Sequence, residues 1–485
     1  MKKTIIFNLI LLIFINLLIK PIYLFGIDRK IQLLVGQSEY GFYVELLTFT
    51  LLFQALNDLG LYNYTLRHYS QNENSDKGFL SNLFGIKLIF SFIYLLIIGV
   101  ITFLSHDYIH AWKLILHLAV NQILIQFILF FRSLIAGAGF YKTDSILSSL
   151  DRMILILISI VFLYHPLFQK YVTIGFFVNL QTISLITCLM IALGIYLNKI
   201  NSTINIQFDW NSSKKILVAC LPFILIFFFN IAYTKQDVIW IGRLLENGNL
   251  ENGIYASSMR LFDASSMISL SFGVFALAMF SKFHEDKKMI TETLIIMSKI
   301  LLLISIGLAV FVFFNANWIN QLLYHQNSIQ MDQNLKIIMI GFIPASYSYL
   351  FGALMQSIHR ENKLAIIYFA MMTLNAICNL IFIPKLHSYG AAIALLITQI
   401  VVVVVMVYHT IDRLDNKLFL KFIGQSLSFM LVNIILHYFI YNYFTEQSEI
   451  VHLIISAMIT LVLGVIFKLI DLTELKELYK KKEIK

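Results

Sequence analysis

Fourteen apolar runs of about 20 residues follow one another along this chain of 485 residues, separated by short polar breaks, and that succession restricts the fold to one class. In hydrocarbon every backbone N–H and C=O must find its partner within the segment, so a run of this length crosses a bilayer as a helix. The runs lie near residues 4–25, 40–66, 80–104, 112–136, 146–165, 172–197, 216–241, 254–280, 290–316, 334–357, 363–383, 390–411, 418–443 and 450–469. Only 13% of residues are charged, against roughly 25% in soluble domains, so little chain is left over for a soluble domain. The predicted fold is all-α, a polytopic integral membrane protein of about 14 transmembrane helices.

The opening Met1-Lys-Lys and its apolar run lack a small-residue cleavage site and reach Lys20-Pro21 instead, so the run reads as a first span. With the N-terminus in the cytoplasm, Lys2, Lys3, Arg67, Lys77, Lys142, Lys199, Lys214, Lys215, Lys282, Lys287, Lys288, Arg360, Lys363, Arg413, Lys417 and the tail Lys476 to Lys485 all fall inside. The outer loops keep little beyond Arg29, Lys30, Lys170, Arg243 and Lys385, which by the positive-inside rule places both termini in the cytoplasm. The formal charge of +9 therefore reports topology; dispersed over short loops, it gives no basic face for nucleic acid. Cys188, Cys220 and Cys378 sit in separate apolar runs with no metal-ligand spacing and read as small buried residues.

The longest polar break, 199–215, divides the chain into an N-terminal lobe (1–198) and a C-terminal lobe (216–411), followed by two additional helices (412–470) and a charged tail (471–485). Tyr40-Gly-Phe-Tyr43 and Asn252-Gly-Ile-Tyr255 open the second helix of each lobe, and Lys20 and Lys235 each precede the shared glycine by about 20 residues, a weak echo of an internal repeat.

A charge near the bilayer centre costs roughly 2.5–3.5 kcal/mol on insertion scales, so the intramembrane charges carry most of the chemical information. Lys20, Lys235 and Arg260 are expected about 8–10 Å below the outer ends of their helices, a cationic belt for an anionic headgroup. Glu45, Asp237 and Asp263 lie close to that level and are candidates for ion coupling; Arg260 and Asp263, three residues apart, share a helix face. Lys87, Arg132 and Arg152 are expected to snorkel to the cytoplasmic interface, with Asp151 beside Arg152. Pro21, Pro222 and Pro344 each remove a helical hydrogen bond and permit a bend.

Three stretches then resemble the O-antigen and polysaccharide flippases of the multidrug, oligosaccharidyl-lipid and polysaccharide exporter superfamily. They are Lys20-Pro-Ile-Tyr23 with Val35-Gly-Gln-Ser-Glu-Tyr-Gly-Phe-Tyr43, Asn57-Asp-Leu-Gly-Leu61 and Arg67; Asp237-Val-Ile-Trp-Ile-Gly242 with Gly253-Ile-Tyr255 and Arg260; and Gln356-Ser-Ile-His-Arg-Glu-Asn362 with Ile383-Pro384-Lys385 and Tyr389-Gly-Ala-Ala-Ile-Ala-Leu395. The resemblance implies a V-shaped bundle that opens alternately to each side of the bacterial inner membrane and moves a polyprenyl-diphosphate-linked oligosaccharide, an O-antigen or other lipopolysaccharide or surface-polysaccharide repeat, to the outer leaflet. It implies that Lys20, Lys235 and Arg260 bind the diphosphate or acidic sugars, and it names a polysaccharide polymerase and a chain-length regulator as partners. No cofactor, metal or catalytic residue is expected.

Two rivals belong to the same superfamily, a peptidoglycan lipid-precursor flippase and a cation-coupled drug exporter. A membrane polysaccharide polymerase or ligase is disfavoured, since the longest outer loop, 315–333, offers only His325 and Asp332.

Overall fold

The structure is a computed structural model that describes residues 18–61, 65, 77–200, 208–283, 286–326, 328–443 and 449–469. Lys2, Lys3, Arg67, the first part of the first expected span, the end of the second, residues 201–207 of the linker and the tail lie outside these residues. All regular structure among the described residues is helical, as the apolar runs require. By packing, the chain forms two compact units, Met1–Ala256 and Ser257–Lys485.

The first unit contains α1 (18–35), α2 (Gln37–Leu52), α3 (Gln54–Asp58), α4 (Lys77–Leu104), α5 (Trp112–Gly137), α6 (Tyr141–Tyr164), α7 (Ile174–Ile200), α8 (Trp210–Lys235), α9 (Asp237–Leu244) and the start of α10 (Gly248–Lys282). The rest of α10 enters the second unit with α11 (Lys287–Tyr324), α12 (Ile329–Ser357), α13 (Glu361–Leu386), α14 (Ser388–Tyr408), α15 (Asn416–Tyr443) and α16 (Glu449–Ile466). Eleven of these helices are long and apolar enough to cross a membrane. Of the other expected spans, the first begins outside the described residues, the second breaks at Phe53, and the fourteenth is the shorter apolar stretch Val451–Ile466.

Proline and polar caps explain where the helices bend and begin. Pro21 has no N–H to donate, and the chain slips into π-helical turns over Ile22–Asp28, where Arg29 N bonds Leu24 O. The helix then continues to Val35, about ten residues past the expected end of the first span, and stops at Gly36, whose φ of 91° suits glycine. Asp209, Asp286 and Asp415 cap α8, α11 and α15 by accepting from main-chain N–H groups two and three residues on. α11 kinks at Asn315, whose side-chain amide donates to Phe311 O, yet runs on to Tyr324. The expected 315–333 loop therefore shrinks to a few residues around His325, because a kink leaves the helix intact where the polar sequence suggested its end.

Aromatic and branched side chains of α1, α2, α4, α5 and α7 fill one core of the first unit, among them Ile31, Tyr43, Leu46, Tyr94, Leu118 and Phe177. In the second unit α12 packs against α11 and α14, and α13 against α14. The Gly-Ala-Ala stretch permits this: a β-carbon at Gly390 would strike the Phe382 main chain, and Ala391, Ala392 and Ala394 are fully buried. Large apolar side chains such as Leu157, Met190, Ile366, Val404 and Leu431 stay exposed, the lipid-facing surface of a membrane bundle. The three cysteines are buried and form no disulfide.

Candidate functional site

Two helix starts that share a short motif lie against each other in the first unit. A β-carbon on Gly41 of α2 would overlap the Asn249 carbonyl and the Gly253 amide of α10; one on Gly253 would overlap the Gln37 carbonyl. The glycines of Tyr40-Gly-Phe-Tyr43 and Asn252-Gly-Ile-Tyr255 thus let two backbones touch, and Gln32 Nε2 of α1 donates to Gly253 O at 3.0 Å across the same crossing. Each start also ties down a buried acid: Tyr40 Oη donates to Asp28 at 2.6 Å and Tyr255 Oη to Asp237 at 2.8 Å.

Glu45 lies one turn beyond Gly41 and is buried. Its carboxylate accepts from Tyr108 Oη at 3.2 Å and from Asn252 Nδ2 at 3.4 Å. Gly242 leaves room for it, since a β-carbon there would overlap the carboxylate; this accounts for the glycine that ends Asp237-Val-Ile-Trp-Ile-Gly242. The Arg243 guanidinium sits 4.2 Å from the centre of the Tyr108 ring and pairs with Asp107. Of the expected coupling acids, then, Glu45 and Asp237 are held in hydrogen-bonded pockets of one unit.

Each of the three cations lies farther along its own helix from the outer end than the expected 8–10 Å. Lys20 lies fifteen residues before the end of α1 at Val35, about 22 Å; Lys235 lies nine residues before Leu244, about 14 Å; Arg260 lies twelve residues after Gly248, about 18 Å. The continuation of α1 through Asp28, Arg29 and Lys30 makes the difference, because those charges read as a loop while Asp28 is in fact buried on Tyr40. Lys20 instead comes within electrostatic reach of Asp151, Arg152 and Arg132. Arg132 does not snorkel: its Nε pairs with Asp144 at 2.7 Å, both side chains largely buried. Lys87 does not snorkel either, being 1% exposed with its Nζ on Asn57 O at 2.7 Å. Lys20, Arg132 and Arg152 thus lie within electrostatic reach of one another in the first unit, with Asp151 and Asp144 among them.

In the second unit Arg260 is buried and donates to Tyr324 Oη at 2.5 Å, and Tyr324 in turn donates to Ser257 O at 3.0 Å. Asp263 is half-buried and lies within electrostatic reach of Tyr349. Lys235 is half-buried at the last turn of α8. Arg360, from the Gln356–Asn362 motif, holds Asp412 through two bonds of 2.9 and 2.5 Å and also bonds His409 O, joining the ends of α12 and α14.

Tyr108, Asp28 and Asp144 carry no signal in the sequence, and Asn252 is marked there only as part of its motif, because nothing in spacing links residue 45 to residues 108 and 252. The motif glycines were the available signal.

A bundle with eleven helices long and apolar enough to cross a membrane, and with ion pairs and amide networks in its interior, is the architecture of a polytopic membrane protein. The same fold is seen in the lipid II flippase MurJ in an inward closed conformation, at 16% identity and a TM-score of 0.68, covering 100% of this chain and 99% of that one. An inward-facing multidrug resistance MATE family transporter of the MOP superfamily gives 0.64 at 14% identity, covering 81% and 94%. A MOP superfamily transporter from Pyrococcus furiosus gives 0.57 at 14% identity, covering 84% and 96%. Residues 5–284, more than half of the chain, match the family described as polysaccharide biosynthesis protein, and the chain belongs to that family. No curated protein matches it by sequence.

Proposed function

We propose that this protein is a flippase for a polyprenyl-diphosphate-linked oligosaccharide, an O-antigen or other surface-polysaccharide repeat, moved from the inner to the outer leaflet of a bacterial inner membrane by alternating access, with both termini cytoplasmic. The observation that carries this reading is the set of half-buried cations Lys20, Arg132 and Arg152 within the spanning helices of a polysaccharide biosynthesis family member. Such charges are tolerated where water and an anionic ligand reach them, and a diphosphate has the complementary charge. Lys20, Lys235 and Arg260 are the proposed substrate-binding residues, in the two six-helix lobes divided at 199–215. Glu45, Asp237 and Asp263 are the proposed ion-coupling acids. Moving two negative charges outward from the negative side of an inside-negative membrane gains about 2.3 kcal/mol per charge per 100 mV, enough to help drive the step. A polymerase and a chain-length regulator are the proposed partners, and no chemistry on the substrate is assigned to the protein.

A peptidoglycan-precursor flippase is the second reading, favoured by one observation: the likeness to MurJ runs the full length of the chain, α15 and α16 included, whereas the MATE likeness covers 81%. The test is flipping of a labelled polyprenyl-diphosphate oligosaccharide in proteoliposomes by the wild type and by Lys20→Ala, Lys235→Ala, Arg260→Ala and Arg152→Ala. Wild-type flipping lost in folded variants supports the reading; movement only of the peptidoglycan precursor selects the second; movement of neither removes both.

A further inference from the structure

Tyr108 belongs to the turn between α4 and α5, a place where a tyrosine is ordinarily at the surface, yet only 4% of it is exposed. The turn is folded on itself: Ser105 N donates to Ile101 O at 3.0 Å, Ile109 N to Ser105 O at 3.1 Å and Ala111 N to Tyr108 O at 3.0 Å. It carries the Tyr108 ring inward onto α2, where the ring centre lies 4.8 Å from that of Phe49, one helical turn beyond Glu45. There the hydroxyl donates to Glu45 Oε1 at 3.2 Å.

Two charges hold the ring in place. The Arg243 guanidinium, at the end of α9, lies 4.2 Å from the ring centre and pairs with Asp107, the residue next to Tyr108. Asp107 and Arg243 keep 63% and 29% of their side chains exposed, whereas Tyr108 and Glu45 are 4% and 5% exposed. Burial thus deepens along one chain of contacts, from an ion pair in water, through a ring, to an acid. Solvent screens an exposed pair and leaves it weak, so the pair is the part of this chain that yields first. Other approaches to the carboxylate are taken: Asn252 Nδ2 donates to it at 3.4 Å, and Gly242 lies so close that a β-carbon would overlap it.

We infer that the turn 105–111 is a lid over Glu45, with Tyr108 as its plug and the Arg243–Asp107 pair as its latch. Tyr108, Arg243 and Asp107 are then positioning residues for the acid. While the pair is closed, the ring keeps water off Glu45 at this end of the unit; when the pair opens, the carboxylate is free to exchange its ion. The turn is on the outer side in the topology proposed above, so the lid governs exchange with the outside. Its use in transport rests on the reading of Glu45 as an ion-coupling acid; the cover itself is tested without transport.

The experiment treats the purified full-length protein in lipid nanodiscs with a water-soluble carbodiimide and glycinamide. Mass spectrometry follows the rate at which Glu45 is amidated, relative to the exposed acids Glu39 and Glu246 in the same sample, and Glu45→Gln identifies the signal. In the wild type Glu45 should react far more slowly than Glu246. Asp107→Ala, at an exposed position, should raise the Glu45 rate about two- to fivefold, the change in open population that an exposed ion pair supports, and leave Glu39 and Glu246 unchanged. Losing a negative charge works against carbodiimide, which needs the protonated carboxyl, so the increase reports access. Tyr108→Ala, which removes the plug, should bring Glu45 closer still to Glu246. A Glu45 rate in Asp107→Ala equal to or below that of the wild type overturns the lid, as does a wild-type Glu45 that reacts as fast as Glu246. If Tyr108→Ala does not fold, the Asp107→Ala comparison decides alone. Labelling needs no transported substrate, so its failure and that of the flipping assay are distinguishable.

Discussion

Replacing Gly253 by alanine opens the crossing between α2 and α10 by a calculable amount. The added β-carbon would lie 2.8 Å from the Gln37 carbonyl carbon and 3.1 Å from its Cα, and nearer still to its oxygen. Ordinary carbon contacts sit at about 3.5–4.0 Å, so the two backbones must part by about 1 Å, a gap that forfeits up to about half of each contact's dispersion energy. Overpacking of this kind costs about 1–3 kcal/mol. The Gln32–Gly253 bond at 3.0 Å stretches with it, a further loss of about 1 kcal/mol. Alanine's higher helix propensity returns about 1 kcal/mol. The net expectation is destabilisation by about 2 kcal/mol. Gly194→Ala on α7 is the control: a β-carbon there meets nothing within 4 Å, so the helix gain of up to about 1 kcal/mol stands alone. Thermal unfolding of the two variants in detergent should therefore place them on opposite sides of the wild type. Equal melting temperatures for Gly253→Ala and Gly194→Ala would refute the close crossing.

Breaking the Arg132–Asp144 pair by Asp144→Ala should cost about 3 kcal/mol, since a largely buried guanidinium loses its counter-charge, while the double variant Arg132→Ala/Asp144→Ala should be closer to wild type; equal losses would show that the two do not interact. Glu45→Ala should cost about 1–3 kcal/mol by orphaning the Tyr108 hydroxyl and the Asn252 amide, and Glu45→Gln, which keeps an acceptor, should recover most of it in the same melt. The Arg360 guanidinium holds the Asp412 carboxyl below the ordinary carboxylate range. A lowered folded value means that the pair's contribution is complete above about pH 4, the unfolded value, and is lost as pH falls through the folded one. Asp412 is 54% exposed, so the contribution is only about 0.5–1 kcal/mol. The stability gap between wild type and Asp412→Asn should therefore be present at pH 7 and shrink below pH 4; a gap of the same size at pH 3 would contradict the pair.

Sequence by itself determined the class of this protein. Apolar runs of bilayer length admit only helices, the sparse charges inside them stand out because each is costly, and the Gly-x-Tyr and Gly-Ala-Ala stretches marked where backbones come close. Asp237 and Glu45 were legible as intramembrane acids for the same reason. Tertiary structure decided their partners and depths. Lys20 sits far from the end of α1 because Asp28, a charge that reads as loop, is instead buried on Tyr40 and lets the helix continue. Arg132 and Lys87 reach Asp144 and Asn57 rather than the interface, because a neighbouring helix offers an acceptor closer than water does. Hydrophobic periodicity reports which stretches leave water; only the packing of one helix against another settles which buried charge meets which.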